Sequence, residues 1–452
     1  MIAKNVLKRF FFLNIDKAKH KKILNISLPA AFNSLLDMLQ VITDLIMVGT
    51  ISAVAVASVG LGLQALMFVF SVLTVLQVGT NALISRFYGA KRMNQGSLAL
   101  ATLLQFALVL SVPMTLFWYF GTSAFYGWMG VADEVQELGS SYVSILTLMI
   151  PFILLKYVFV TALNATGDTT TPMYVKIASI VLNVSLNYVL IFGNFGVPAM
   201  GVAGAALATV IVNILEVLVY AWLYVNKKTP FKPLVYFSKN LLDRALKIGL
   251  PATYERTLTV TSFMLFTYII ANYSTEALAG YQIGLRVEGL AFMPGIGFTI
   301  AAMALMGQGL GAKKPEQARE DVLLVLKYAA ALMFFLSFFM IFTPELIVQY
   351  FTNDLKTIDE ASLYLQIVGL SQIPLAFNFV LSGALRGAGD SKRTLRINLT
   401  SLWLVRIIPA FVLSWIFNDI MWVYIAMISD TFAKAFFLWK AFDGGEWKKI
   451  KV

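Results

Sequence analysis

Apolar residues run along this chain in long blocks rather than in the narrow stripes of a water-soluble helix, and Gly, Pro and charged residues punctuate the blocks. Twelve blocks stand out, at 24–49, 52–80, 95–120, 135–162, 173–193 and 197–225, then 247–272, 276–306, 319–342, 359–385, 394–417 and 420–440. Each meets the roughly 17–25 residues that a helix needs to cross the hydrocarbon core of a bilayer. A helix satisfies its own backbone there, so the pattern predicts twelve transmembrane helices and an all-α polytopic membrane protein. The residues between blocks are too few for a separate soluble domain.

The basic residues between blocks alternate. The leader (residues 1–23), the connections at Arg86 to Arg92, Lys227 to Lys247, Lys313 to Arg319 and Arg386 to Arg396, and the tail from Lys440 are rich in Lys and Arg. The intervening connections hold one basic residue, Lys356. By the positive-inside rule both termini are expected in the cytoplasm, as for a multi-pass protein of the plasma (inner) membrane. The net charge of +11 is then topology and attraction to anionic lipid, not nucleic-acid binding. Lys8, Arg9, Lys17, Lys21 and Lys22 make the leader too polar for a signal-peptide core, and it reads as a basic interfacial helix.

Sliding the chain against itself shows a repeat at one offset, 222 residues. That shift takes Pro29 to Pro251, Gly62 to Gly284, Gly89-Ala90-Lys91 to Gly311-Ala312-Lys313, Gln95 to Gln317, Ala162-Leu163 to Ala384-Leu385 and Gly167-Asp168 to Gly389-Asp390. The expected organisation is two homologous six-helix lobes, 24–225 and 247–441, joined by a cytoplasmic linker at 226–246 and followed by a tail at 442–452. Six spans per lobe is an even number, so the lobes form a parallel repeat with a pseudo-two-fold along the membrane normal, and function belongs in the cleft between them.

Composition narrows the chemistry. The chain is 59% apolar and 13% charged, has no Cys, and has one His, His20, in the leader, where a solvated surface residue is expected. Thiolate metal sites, Fe–S clusters and His-based triads or proton relays are excluded, and there is no Walker A pattern. The residues of interest are polar groups that a lipid-facing helix does not tolerate, a charge near the bilayer centre costing about 2.5–3.5 kcal/mol on insertion scales. In the first lobe these are Asp37 and Asp44, seven apart and so on one face of the first span, and Asn183 and Asn187, one turn apart on the fifth. An Asp beside amides can hold a proton or Na+. The asparagines serve equally well as interhelical glue, worth about 0.6 kcal/mol each on average.

At these landmarks the sequence resembles the multidrug and toxic compound extrusion family, from about Leu24 to Lys440. The first span, ISLPAAFNSLLDMLQVITDLIMVGT, is similar to the family's opening helix, with Pro29 early and Asp44 ahead of Val48-Gly49. VLNVSLNYVLIFG is similar to its fifth helix and QIGLRVEGLAFMPGIGFTIAAMALMGQGLGAKK to the eighth of a prokaryotic branch. The resemblance implies a monomeric exporter, not an enzyme, that exchanges amphipathic, often cationic small molecules for H+ or Na+ with no other cofactor. It implies an ion or proton site at Asp44 with Asn183, Asn187, Tyr142 and Thr209 around it. Members with a fuller N-terminal site carry a second acid where Asn187 stands.

The second lobe carries Glu255, Arg256, Arg286, Glu288, Arg406, Asp430 and Lys434 within its spans. Arg406, Asp430 and Lys434 read as buried ion pairs that lock packing. Glu255 sits one turn after Pro251, and its repeat partner, 255 − 222 = 33, is the uncharged Asn33, so Glu255, with Glu288 and Arg286, forms the alternative coupling site. The tenth span holds no acid to complete the sodium site of other members. Pro294, with Gly295 and Gly297, is expected to kink the eighth span, and the GVAGAALA run at Gly201 to Ala208 to pack closely on a neighbour. Two other functions remain open at this stage. A flippase or exporter of lipid-linked saccharides or other lipid-like substrates would want a strongly basic cavity, whereas the intramembrane Arg residues sit mostly in one half; a channel or membrane enzyme lacks a catalytic constellation.

Overall fold

The computed structural model describes residues 17–450 and Val452, and among these the chain is helical, with no strand. We number the spans α1 (Lys17–Gly49), α2 (Ala53–Gly89), α3 (Met93–Trp128), α4 (Asp133–Thr147 and Ile150–Thr166), α5 (Thr170–Phe192) and α6 (Gly201–Val225). The second set is α7 (Lys239–Ala271), α8 (Thr275–Gly311), α9 (Pro315–Phe342), α10 (Leu355–Leu370 and Gln372–Gly387), α11 (Ser391–Phe417) and α12 (Ile420–Asp443). Nine single helices, and the bent pairs α4 and α10, are long and apolar enough to cross a membrane. The twelfth expected span, α7, is as long as α1 but more polar, because Glu255, Arg256 and the hydroxyls of Thr253, Thr257, Thr259, Thr261 and Ser262 share it. Those hydroxyls of Thr259, Thr261 and Ser262 donate to carbonyls one turn back, which lets them sit in an apolar setting.

The 222-residue repeat is written into the backbone. Ser52 caps α2 and Ser274 caps α8, each accepting from the amide three residues on. Lys91 and Lys313 both take left-handed φ values, 56° and 59°, and Gly167 and Gly389 take 91° and 88°. The bends correspond too, 50° in α4 and 54° in α10. Their cause is proline: the rings of Pro151 and Pro374 collide with the carbonyl four residues back, at Thr147 and Leu370, and these are the last residues of the first half-helices. By contrast α8 runs through the buried Pro294 as one helix, where Gly295 makes room for Phe379 and Gly297 for the backbone of Ala31. In α11 a π turn, Leu402–Ile407, precedes Pro409, whose missing N–H removes one ladder bond.

Two compact units result, but their borders fall inside helices. One takes the chain up to Ser34 together with Tyr254–Val452, and the other is Leu35–Thr253. In the first, Gly297 of α8 meets Ala31 of α1, and in the second, Gly249 of α7 meets the Val75 carbonyl of α2, while Gly79 meets Ala245. A Cβ at Gly249 would lie 2.4 Å from the Val75 oxygen, so the start of α7 can dock this closely only as glycine. Similarly Gly204 lets α6 approach the Leu190 carbonyl of α5.

The two chain ends differ from expectation where they are described. The leader's first sixteen residues, where most of the expected interfacial helix falls, lie outside the described chain, and from Lys17 the leader is continuous with α1. Lys19 pairs with Glu320 and Asp321 of α9, and half-buried His20 is hydrogen-bonded to the Tyr328 hydroxyl, so His20 is not a free surface group. The tail is held as well: Trp447 is fully buried, stacks on Phe442 and donates to its carbonyl, while Lys448 pairs with Glu316, and Glu446 with Arg393. Arg393 holds the Glu446 carboxyl below its usual range.

Candidate functional site

The face of α1 that carries Asp37, Gln40 and Asp44 at positions i, i+3 and i+7 meets α5. There Asn187 Nδ2 donates to Asp44 Oδ1 at 2.6 Å and to Asn183 Oδ1 at 3.3 Å. Both asparagines are 0% exposed, and Asn187 Oδ1 and Asn183 Nδ2 are left without a hydrogen-bond partner. Buried polar atoms are nearly always paired, so these two amide atoms are free to take a further partner beside the Asp44 carboxylate, as Glu255 Oε2 is in the second lobe. Tyr142, buried on the first half of α4, lies within electrostatic range of Asp44. Thr209 is tied to its own helix, its hydroxyl donating to Ala205 and its carbonyl accepting from Asn213.

Three charged residues that the sequence pattern did not single out complete this layer. Lys176 of α5 donates to Asp37 at 2.6 Å and to Gln40 at 2.7 Å. Lys156 of α4 donates to Glu216 of α6 at 2.6 Å and to Asn213 at 2.5 Å. Asp37 and Glu216 therefore each have an ammonium, whereas Asp44 is held by an amide and makes no ion pair among the described residues. A signal was available: Lys156, Lys176 and Glu216 are lone charges inside apolar blocks, as diagnostic as the acids of α1.

The second lobe distributes its charges differently. Glu255 Oε1 accepts from Arg386 of α10 and Asn398 of α11, both at 2.6 Å. Glu288 accepts from the Tyr364 hydroxyl at 2.5 Å. Tyr364 and Arg386 are 386 − 364 = 22 residues apart along α10, roughly 30 Å of helix, so Glu255 and Glu288 do not share a site. Arg286 is exposed and stands two residues before Glu288, on the opposite side of α8, so it does not join that acid. Asp430, 0% exposed, binds buried Ser401 and the partly buried Arg406 and Lys434.

Duplicated six-helix sets with buried carboxylates and amides inside their spans define a polytopic membrane transporter rather than an enzyme. The MatE family model matches twice, over residues 29–189 and 251–412, once per repeat. The chain belongs to the MatE family. It is 30% identical over 441 residues to a probable multidrug resistance protein NorM of Thermotoga maritima, covering 96% of this chain and 94% of that one. It is 27% identical to the protein of the same name from Neisseria meningitidis, covering 83% of each. Among solved structures, a MOP superfamily transporter from Pyrococcus furiosus superposes with a TM-score of 0.88 at 20% identity, covering 96% of this chain and 97% of that one. A MATE transporter from Vibrio cholerae gives 0.89 at 19% identity, covering 96% and 99%. At such identities these likenesses show the fold alone.

Proposed function

We propose that the protein is a secondary active multidrug exporter that exchanges amphipathic, cationic organic compounds for H+ or Na+ by alternating access, with Asp44 taking up the coupling cation. The observation that carries this reading is the state of the Asp44 carboxylate: among the charged groups of the first lobe's site it is the acid with no ion pair, and two unpartnered amide atoms adjoin it. A charge so placed in a bilayer is costly, and either a proton or a Na+ ion held between Asp44 and the Asn187 oxygen would neutralise it. The NorM relatives' names support the drug-export half of the reading. Basic residues on alternate connections support cytoplasmic termini in a plasma-membrane protein. Glu255 is the weaker candidate because Arg386 already neutralises it.

The test is efflux of a fluorescent organic cation in everted vesicles under separately imposed pH and Na+ gradients. Gradient-driven movement of the dye under at least one gradient is expected. No movement under either, with the protein shown folded and inserted, would overturn the proposal and move attention to lipid-linked substrates.

A further inference from the structure

The polar layer of the first lobe contains a charge arrangement that the coupling role of Asp44 does not by itself require. Three carboxylates, Asp37, Asp44 and Glu216, meet two ammonium groups, Lys156 and Lys176, leaving one surplus negative charge. Lys176 interacts electrostatically with Asp37, Asp44 and Glu216. It is hydrogen-bonded to the first of these and to Gln40. Gln40 precedes Asp44 by 44 − 40 = 4 residues, one helical turn. Dependence within the pair runs one way: the Asp37 side chain is 54% exposed and can live in water, whereas that of Lys176 is 12% exposed and needs an anion.

We propose that Asp37 and Lys176 form a tethered charge pair that sets the cation affinity of Asp44, Asp37 holding the Lys176 ammonium one turn away from the coupling carboxylate. The inference rests on the reading of Asp44 above. Without Asp37, the ammonium stays anchored at Gln40 with Glu216 and Asp44 as its remaining anions, so it bears more heavily on Asp44 and competes with the coupling cation. Without Lys176, Asp44 loses an opposing positive charge and binds the cation more tightly. Other groups facing this layer are Tyr142 and Lys156 from α4, Asn183, Asn187 and Ser179 from α5, and Glu216 and Tyr220 from α6; all of them are unchanged by these substitutions.

The experiment measures the coupling-cation concentration for half-maximal dye efflux, in H+ or Na+ according to which gradient drives the parent. Lys176 acts on Asp44 through space rather than by contact, so its effect lies at the low end of the roughly one to three pH units by which a nearby opposite charge shifts a carboxylate's proton binding. Asp37→Asn should therefore raise the required concentration about tenfold, Lys176→Met should lower it about tenfold, and the double variant should return close to the parent. Two single variants that leave the value unchanged, or move it in the same direction, would overturn the inference, since a purely structural pair gives no opposed shifts and no cancellation. Should Lys176→Met fail to insert, Asp37→Asn decides alone, and an unshifted value refutes. Asp44→Asn separates the two levels: transport with unaltered coupling in that variant sinks the reading of Asp44 itself. Loss of coupling there, beside an unshifted Asp37→Asn, sinks only the charge pair.

Discussion

Lys156 and Glu216 meet at 2.6 Å with side chains only 15% and 5% exposed, and neither has another charged group in hydrogen-bond contact. Replacing Lys156 by Met keeps the length of the side chain and removes its charge, so Glu216 is left as a buried carboxylate without its ammonium. Breaking a buried pair from one side costs about 3–5 kcal/mol, because the desolvation of the remaining ion is no longer offset. For a unit of some two hundred residues that is a fall in melting temperature of roughly 6–20 °C. Lys176 interacts with Glu216 through space and should keep the loss toward the lower end. Lys156→Met combined with Glu216→Gln removes both ions, and should melt within about 1 kcal/mol of the parent, since neutral replacement of a buried pair is often tolerated. The assay is thermal unfolding of purified protein in one detergent, followed by size-exclusion recovery after heating. A single variant as stable as the parent, or a double variant less stable than Lys156→Met alone, would refute the claim that this pair is a desolvated structural bridge.

Glycines differ in what a side chain at their position would meet. A Cβ at Gly284 would lie 2.2 Å from the Tyr364 ring and displace the phenol that donates to Glu288, so Gly284→Ala should cost about 1–3 kcal/mol, whereas Gly121→Ala meets nothing within 4 Å and should be neutral or stabilising; melting temperatures check both. At the tail, Glu446 is held below its usual range in the folded protein, so its pairing with Arg393 is complete above pH 4.5 and is lost as pH falls through the lowered value. Pepsin should therefore release the last residues more readily once the pH is below 4.5, and Glu316→Gln with Glu446→Gln should speed tryptic removal of the tail at pH 7 without opening it fully, because buried Trp447 still holds it; a tail cut no faster in that variant would contradict the clasp by these pairs.

Fold and repeat were legible because lipid imposes them: uninterrupted apolar blocks dictate helices, and landmarks at a fixed offset dictate two lobes. Even so, the bends of α4 and α10 at Pro151 and Pro374 were not foreseen. Pro294 lies in a helix that stays whole, while Pro151 and Pro374 break α4 and α10, because what decides is whether the chain yields at the carbonyl four residues back, and periodicity does not carry that. Helical spacing put Asp37 with Asp44 and Asn183 with Asn187, and the family resemblance, not spacing, joined Asp44 to the two asparagines, a grouping that matches the hydrogen bonds in the structure. Lys156, Lys176 and Glu216 were not, because their pairing joins α1, α4, α5 and α6, and only the fold says which lone charges find each other. His20 and the tail escaped for the same reason: their partners lie some three hundred and some fifty to one hundred and thirty residues away.

Placing Asp44 at the centre of coupling is tested most directly by comparing Asp44→Asn with Glu255→Gln in everted vesicles, following gradient-driven efflux of an organic cation. The account predicts that Asp44→Asn abolishes gradient-driven transport while the folded variant still binds dye, and that Glu255→Gln retains it. Transport that survives Asp44→Asn and disappears with Glu255→Gln would contradict the account and move the coupling site to the acid that Arg386 holds.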